Sequence, residues 1–190
     1  MKFGYTLIET GVGWMGILGS EAGLRQIVLP KASFEAAFSA LDEHMREAVY
    51  DTSLFGDLPR RLIGYFNGEA VSFPDRLNLA GATPFQRAVW QLVRSIPYGQ
   101  TESYGWVAQQ IEKPRGARAI GQALARNPLP IVVPCHRITG AKGKLGGFSY
   151  GLEMKQRLLQ MEASRIQNIE GSQLFSTSSA PSPTNPTSCW

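Results

Sequence analysis

Apolar and polar positions alternate with a period of two over FGYTLIET, GWMGILGS and GLRQIVLP (3–10, 13–20 and 23–30). That is the pattern of three strands. Gly11-Val12 and the Ser20–Gly23 turn are all that separates them, and connections this short require antiparallel pairing. From Ser33 the period lengthens. In SFEAAFSALDEHMR the apolar residues Phe34, Ala37, Phe38, Leu41 and Met45 recur at helical spacing, with Ser33 as the N-cap. His44 falls near the end of that helix, on its surface. A second helix is predicted over 53–66, stopped by Asn67-Gly68. The stretch EAVSFPDRLNLAGAT (69–83) reads as a linker.

Thr83-Pro84 opens the next helix, with Thr83 as N-cap and Pro84 at the first helical position. Its apolar face is Phe85, Val89, Leu92, Val93 and Ile96, and Pro97-Tyr98-Gly99 closes it. SYGWVAQQI is a short helix capped by Ser103. After the turn EKPRG, ARAIGQALARN is a second one, ending at Asn127-Pro128. Two short helices joined by a tight turn make a helix-turn-helix candidate. In IVVPCHRITG (131–140) a β-branched apolar run, Ile131 to Val133, reaches Pro134 and delivers Cys135 and His136 side by side, and the glycine-rich loop TGAKGKLGGFSYG follows. A last helix is predicted over 152–163, with Leu152, Lys155, Leu158, Leu159 and Glu162 on or beside one face. The pattern implies an α/β amino-terminal domain over 1–80, a small antiparallel sheet with helices. A mainly helical carboxy-terminal domain containing the helix-turn-helix follows over 81–165. A Ser/Thr/Pro-rich tail, 166–190, has no composition for a packed core and is expected to be disordered.

With 190 residues and 43% hydrophobic content, the chain can hold one large or two small cores. It has no run of eighteen apolar residues, so no transmembrane helix is expected. The start, MKFGYTLIET, lacks the apolar core of a signal peptide. Two cysteines, Cys135 and Cys189, do not make a disulfide scaffold, and with only His44 and His136 beside them no metal site is predicted. The expectation is a cytoplasmic protein with free thiols and no cofactor. Charge adds an asymmetry. Residues 1–83 carry seven basic and ten acidic residues, whereas 84–162 carry eleven and four. A basic half suggests a polyanionic partner, nucleic acid above all.

Within that half the second short helix is slim: Ala117, Ala119, Gly121, Ala123 and Ala125 leave it few bulky side chains. A slim helix with Arg118 near its start suits a DNA minor groove, which is only about 6 Å wide. Close packing on another helix suits the same residues equally. Cys135 and His136 bring chemistry. A thiolate is the nucleophile, and an imidazole can take the thiol proton. Adjacent side chains point apart, so a bridging water is the natural link. The second ring nitrogen then needs an acceptor. Glu162 is the best carboxylate in this half, with Glu102, Glu112 and Glu153 as competitors. Residues 1–80 show no chemistry of their own.

The stretch from TPFQRAVWQLVRSIPYGQTESYG to LLQMEA (84–162), with IVV before PCHR, resembles the O6-alkylguanine-DNA alkyltransferases. The amino-terminal part resembles them only in shape and position. The resemblance implies a repair protein that flips an alkylated guanine out of duplex DNA and moves the alkyl group irreversibly to its own cysteine. Cys135 is then the acceptor, His136 the base acting through a water, and Glu162 the carboxylate that orients it. Tyr104 contacts the flipped nucleotide and helps protonate the leaving base. Arg118 fills the gap left in the stack, and Ala117 and Gly121 lie with it on the DNA side of the helix. Asn127 braces the turn between that helix and the cysteine. Ile138 and Ser149 line the guanine pocket by their backbones, Phe148 is its aromatic wall, and Arg137 is structural. Tyr150 stands where family members commonly have glycine. The implied partner is double-stranded DNA carrying O6-alkylguanine, with O4-alkylthymine as a further lesion, and the protein is expected to be a monomer without cofactor or membrane. Two rivals remain at this point: a non-catalytic lesion binder or regulator of the same fold, and a cysteine hydrolase.

Overall fold

The computed structural model describes residues 2–41 and 47–176, with side chains of the last helix described as far as 167. His44, Met45 and Cys189 lie outside the described residues.

Strands β1 (Phe3–Thr10), β2 (Gly13–Ser20) and β3 (Gly23–Lys31) pair antiparallel, as the short turns require. A fourth strand, β4 (Val49–Tyr50), pairs parallel with β1 at the sheet edge. The order is β3-β2-β1-β4, so the sheet is mixed and not purely antiparallel. Two residues are too few to show a period, which is why β4 left no mark in the pattern. Between β3 and β4 lies α1 (Phe34–Ser39), capped by the Ser33 hydroxyl, which accepts from the Ala36 N–H at 3.2 Å. It is much shorter than the predicted 33–46 helix. Phe34 and Phe38 remain 43% and 38% exposed, edge-on to Trp14 and Tyr5, while Ala37 is buried. Leu41, past the helix end, packs on Leu18 and Val28 on this face of the sheet.

The other face receives α2 (Leu58–Phe66) through Leu58, Leu62 and Tyr65. The predicted single helix over 53–66 is divided into a 3-10 turn (Ser53–Phe55) and α2, because the chain reverses at Gly56. Nor is 69–83 a loose linker. Leu24 N–H donates to Arg76 O and Asn78 N–H to Leu24 O, at 2.8 and 2.7 Å, which covers the free edge of β3. Arg61 grips Asp75 with two hydrogen bonds of 2.6 and 2.8 Å. Ile27 N–H reaches across to Pro128 O at 2.9 Å.

The second half is built on α3 (Pro84–Arg94), α4 (Tyr104–Gln110), α5 (Ala117–Ala125) and α6 (Leu152–Ser176). Thr83 and Gln86 form a reciprocal capping box at the start of α3, and the Ser103 hydroxyl caps α4 by accepting from Trp106 N–H. Trp90 of α3 is 3% exposed and donates its indole N–H to Ala123 O of α5. Its truncation to Ala would cost about 3–5 kcal/mol. A parallel two-residue ladder, β5 (Glu102–Ser103) with β6 (Ile138–Thr139), was not signalled by the sequence. The last helix passes its predicted end at 163 and continues to Ser176, so 166–176 is helical where a disordered tail was expected. No proline occurs there, and the Ser/Thr/Pro density rises only beyond it. One apolar cluster runs from the sheet through α2 and α3 to Cys135 and Leu158. Among the described residues no helix is long and apolar enough to cross a membrane.

Candidate active site and nucleic-acid interface

The segment carrying the thiol is an irregular buried turn. Asn127, at the end of α5, organises it: its Nδ2 donates to Val133 O at 2.9 Å and to Cys135 Sγ at 3.2 Å, and its Oδ1 accepts from Leu129 N–H at 3.0 Å. Ile131 takes φ +73, a left-handed conformation that is strained for a β-branched side chain. The turn delivers Cys135, His136 and Arg137 as one 3-10 turn, directly before β6. Because β6 pairs with β5, and β5 precedes α4, the ladder brings Tyr104 to the same end of the domain. Cys135 is 6% exposed and His136 fully buried.

No hydrogen bond joins the Cys135 thiol to the His136 ring. The imidazole turns to α6, which presents Lys155, Leu158 and Glu162 inward at helical spacing. Leu152, predicted beside them, is 51% exposed and takes no part. Of the four carboxylates considered, Glu162 takes the imidazole: Nε2–H donates to Oε1 at 2.9 Å. The same oxygen accepts from Tyr65 Oη at 2.6 Å and Arg137 Nη2 at 3.0 Å. Oε2 accepts from Arg137 Nε and from Gly99 N–H, both at 2.9 Å. Gly99 has φ +75, and a Cβ there would lie 2.6 Å from Ile166 of α6. Only glycine lets its N–H approach so closely. Burial alone would raise the Glu162 pKa, but the hydrogen bonds from His136 and Arg137 bring it down to about 2. The carboxyl is therefore ionised and Nε2 carries the ring proton. Nδ1 keeps its lone pair and finds no hydrogen-bond partner among the described residues. Burial holds His136 below its ordinary pKa of 6.5, so the ring rests neutral.

Two side chains of this cluster were not anticipated. Arg137, read as structural, holds both oxygens of Glu162 and also donates to Ile96 O at 2.7 Å. Tyr65 comes from the half in which no chemistry was visible. One signal was available: a phenol on the apolar stripe Leu58, Leu62, Tyr65 must find a polar partner.

In front of the thiol lies the glycine-rich loop. Lys155, fully buried, donates to the carbonyls of Ile138 (2.5 Å), Leu145 and Gly147 (3.5 Å), fixing the loop against β6. Tyr104 Oη donates to Gly147 O at 3.3 Å, and its ring lies where a Cβ on Gly146 would come within 2.9 Å. Ser149 Oγ donates to Ala125 O of α5 at 3.0 Å. Phe148 and Tyr150 stand with ring centroids 5.5 Å apart. Burial, and then the nearby Cys135 sulfur, raise the Tyr150 phenol to about 12. Burial also raises the Cys135 thiol, a shift that the Asn127 hydrogen bond and the Lys155 charge reduce. The resting thiol is therefore protonated and unreactive until a base takes its proton.

The outer face of α5 differs. Ala117, Arg118, Ala119, Gln122, Ala125 and Arg126 are exposed, while Ile120, Ala123 and Leu124 are buried against the other helices. The slim composition thus lets one side of α5 pack closely on the other helices and leaves the opposite side open. Gly121, predicted on the DNA side, is half-buried beside the Tyr104 ring. Lys113 and Arg115 extend the exposed basic surface, but Arg94, Arg137 and Lys155 turn inward, so the basic excess is only partly a surface property. Among the described residues no group of three His, Cys, Asp or Glu is placed to hold a metal ion.

The chain is similar to known proteins over most of its length. Residues 84–164 match the family description "6-O-methylguanine DNA methyltransferase, DNA binding domain". The chain is 39% identical over 160 residues to a methylated-DNA–protein-cysteine methyltransferase of Methanosarcina acetivorans, covering 84% of this chain and 98% of that protein. A protein of the same description from Mycolicibacterium paratuberculosis is 39% identical over 158 residues, with 83% and 91% covered. The crystal structure of Mycobacterium tuberculosis OGT in complex with DNA is similar with a TM-score of 0.72 and 37% identity, covering 87% of this chain and 94% of that one.

Proposed function

The chain belongs to the methylated-DNA–protein-cysteine methyltransferase family, and on that premise we propose how its own residues carry the reaction. The protein binds DNA and repairs it by transferring an alkyl group to a cysteine of its own. Cys135 is the acceptor. The observation that carries this reading is the pairing of a buried thiol with an adjacent histidine. Nε2 of that histidine is committed to an ionised carboxylate, and Nδ1 is left basic.

The substrate is an O6-alkylguanine in duplex DNA, with O4-alkylthymine as a second lesion. A thiol only 6% exposed cannot meet a base inside a stacked helix, so the base must be extruded into the site. Arg118, on the exposed face of α5, supports the opened stack, with Ala117 beside it. Asn127 holds the sulfur, while Phe148, Tyr150 and the backbone of Ile138 and Ser149 enclose the base. His136 Nδ1 takes the thiol proton through one water, and Glu162 stabilises the imidazolium that forms. The sulfur then forms a bond to the alkyl carbon as the carbon–oxygen bond breaks. The electron pair goes to the guanine, which takes a proton from Tyr104, and Tyr104 recovers one from solvent. The product thioether has no leaving group, so each monomer acts once and needs no cofactor. The free thiol suits the reducing cytoplasm.

The test is mass spectrometry after mixing the protein with a duplex containing O6-methylguanine. One methyl group is expected on the peptide bearing Cys135 and none on that bearing Cys189. Cys135→Ala should bind the duplex and take up nothing. Methyl uptake by that variant, or product beyond one equivalent, would overturn the assignment.

A further inference from the structure

Glu162 Oε1 is oversubscribed. An ionised carboxylate oxygen offers about two lone pairs, yet Oε1 faces donors from Tyr65 (2.6 Å), His136 (2.9 Å) and Arg137 (3.0 Å). The shortest of the three comes from the amino-terminal half, 97 residues away in sequence. The Tyr65 side chain is fully buried. Its ring is wedged edge-on among Phe66, Phe73, Tyr98 and His136, at centroid distances of 5.3 to 6.4 Å. The hydroxyl therefore has little freedom to turn elsewhere. Its other polar neighbour is His136 Nε2 at 3.2 Å.

We propose that Tyr65 is a positioning residue of the transfer reaction: its hydroxyl fixes the Glu162 oxygen that orients His136 and tempers how strongly that oxygen pulls on the imidazole. The inference rests on reading Cys135 and His136 as acceptor and base. Its physical content is competition for one oxygen. A hydrogen bond from the phenol withdraws charge from Oε1, weakens its hold on the imidazolium and keeps His136 less basic. Arg137 is a permanent charge and cannot be tuned. The phenol is the adjustable neutral donor. The other charged or titratable groups around this pair include Tyr98 from the segment after α3, Cys135 and Arg137 from the turn, Lys155 from α6 and, on the far side of Tyr98, Arg165 of the same helix. All of them remain when the Tyr65 hydroxyl is removed.

The experiment measures single-turnover alkylation of Cys135 by free O6-benzylguanine against pH. Tyr65→Phe keeps the ring and loses only the hydroxyl. Transfer should slow roughly tenfold to a hundredfold, the range seen when a partner that orients a working histidine is lost. The acid limb of its pH profile should move to higher pH, because Oε1 then holds the imidazolium more tightly. Site-specific 3-fluorotyrosine at 65 has nearly the same shape and a stronger donor, and should move the acid limb the opposite way. In a Glu162→Ala background Tyr65→Phe should change the rate no further, since coupled residues are non-additive. A purely structural tyrosine would lower thermal stability but leave the pH profile in place, and that result would overturn the proposal. Profiles of both Tyr65 variants superimposable on the parent's would overturn it too. Failure of the underlying reading looks different: the parent protein itself would leave Cys135 unalkylated.

Discussion

The cluster around Glu162 and the outer face of α5 are built in opposite ways. In the first, five hydrogen bonds converge on one carboxylate at 1% exposure, and its side-chain partners Tyr65, His136 and Arg137 are themselves buried. Removing any member strands another without water to replace it. In the second, Arg118 and Arg126 stand in solvent on a helix whose buried side is complete without them. A side chain lost there is replaced by water, and the fold does not register it. The same formal change, loss of one charge, should therefore reach chemistry and stability in one region and DNA handling alone in the other.

Glu162→Gln tests the inner region and carries the largest expected effect. The amide is neutral and directs its own donors at Arg137, His136 or Tyr65. Stability should fall by about 3–5 kcal/mol, as when a buried pair loses one partner. Transfer should slow by roughly a hundredfold or more, the scale of general-base assistance. Urea unfolding and single-turnover alkylation read the two effects, while affinity for undamaged duplex stays at the parental value. A variant as stable as the parent would break the contrast.

Acid provides a second route into the same cluster. His136 is held below its ordinary 6.5, so the unfolded chain binds its proton first, and stability is lost as pH falls below about 6.5. Glu162 is held at about 2 against an ordinary 4.5, so its contribution persists until pH falls below 4.5 and fades towards 2. Thermal melts across this range should show both declines in the parent. Glu162→Gln should show a smaller lower decline, with only the exposed carboxylates Glu35, Asp51 and Asp57 left to contribute to it.

Arg118→Ala probes the outer face. Its stability should stay within about 0.5 kcal/mol of the parent, as for surface substitutions generally. Repair of duplex O6-methylguanine should slow by roughly a hundredfold, a share of the few kcal/mol that extruding a base costs. Reaction with free O6-benzylguanine should be unchanged. Equal losses on both substrates would place Arg118 with the inner residues.

Tyr150 sharpens the boundary between the regions, because the residue is 36% exposed yet its phenol is close enough to the Cys135 sulfur for its pKa to respond. Tyr150→Gly should raise the rate with benzyl relative to methyl adducts by about tenfold, the usual scale of steric discrimination in a pocket. Unchanged selectivity would mean that the ring serves the outer surface and does not narrow the pocket.

The three long strands, the caps at Ser33, Thr83 and Ser103, the paired short helices and the Cys-His pair at the end of a buried run were all determined by the sequence alone. Each rests on interactions within a few residues, so periodicity, capping chemistry and turn residues suffice to reveal them. Glu162 could be selected as the carboxylate because few competed in its half, although nothing local distinguished it from a surface charge. The tertiary structure alone decided β4, the β5–β6 ladder that brings Tyr104 toward Cys135, the inward turn of Lys155, and the roles of Arg137 and Tyr65. These depend on contacts between residues tens of positions apart, such as Tyr65 with Glu162 and Gly99 with Glu162. A polar side chain committed to such a contact looks, in sequence, like any exposed one. Its burial is settled only when the sheet, α2 and α6 close on each other and no water is left to take the partner's place.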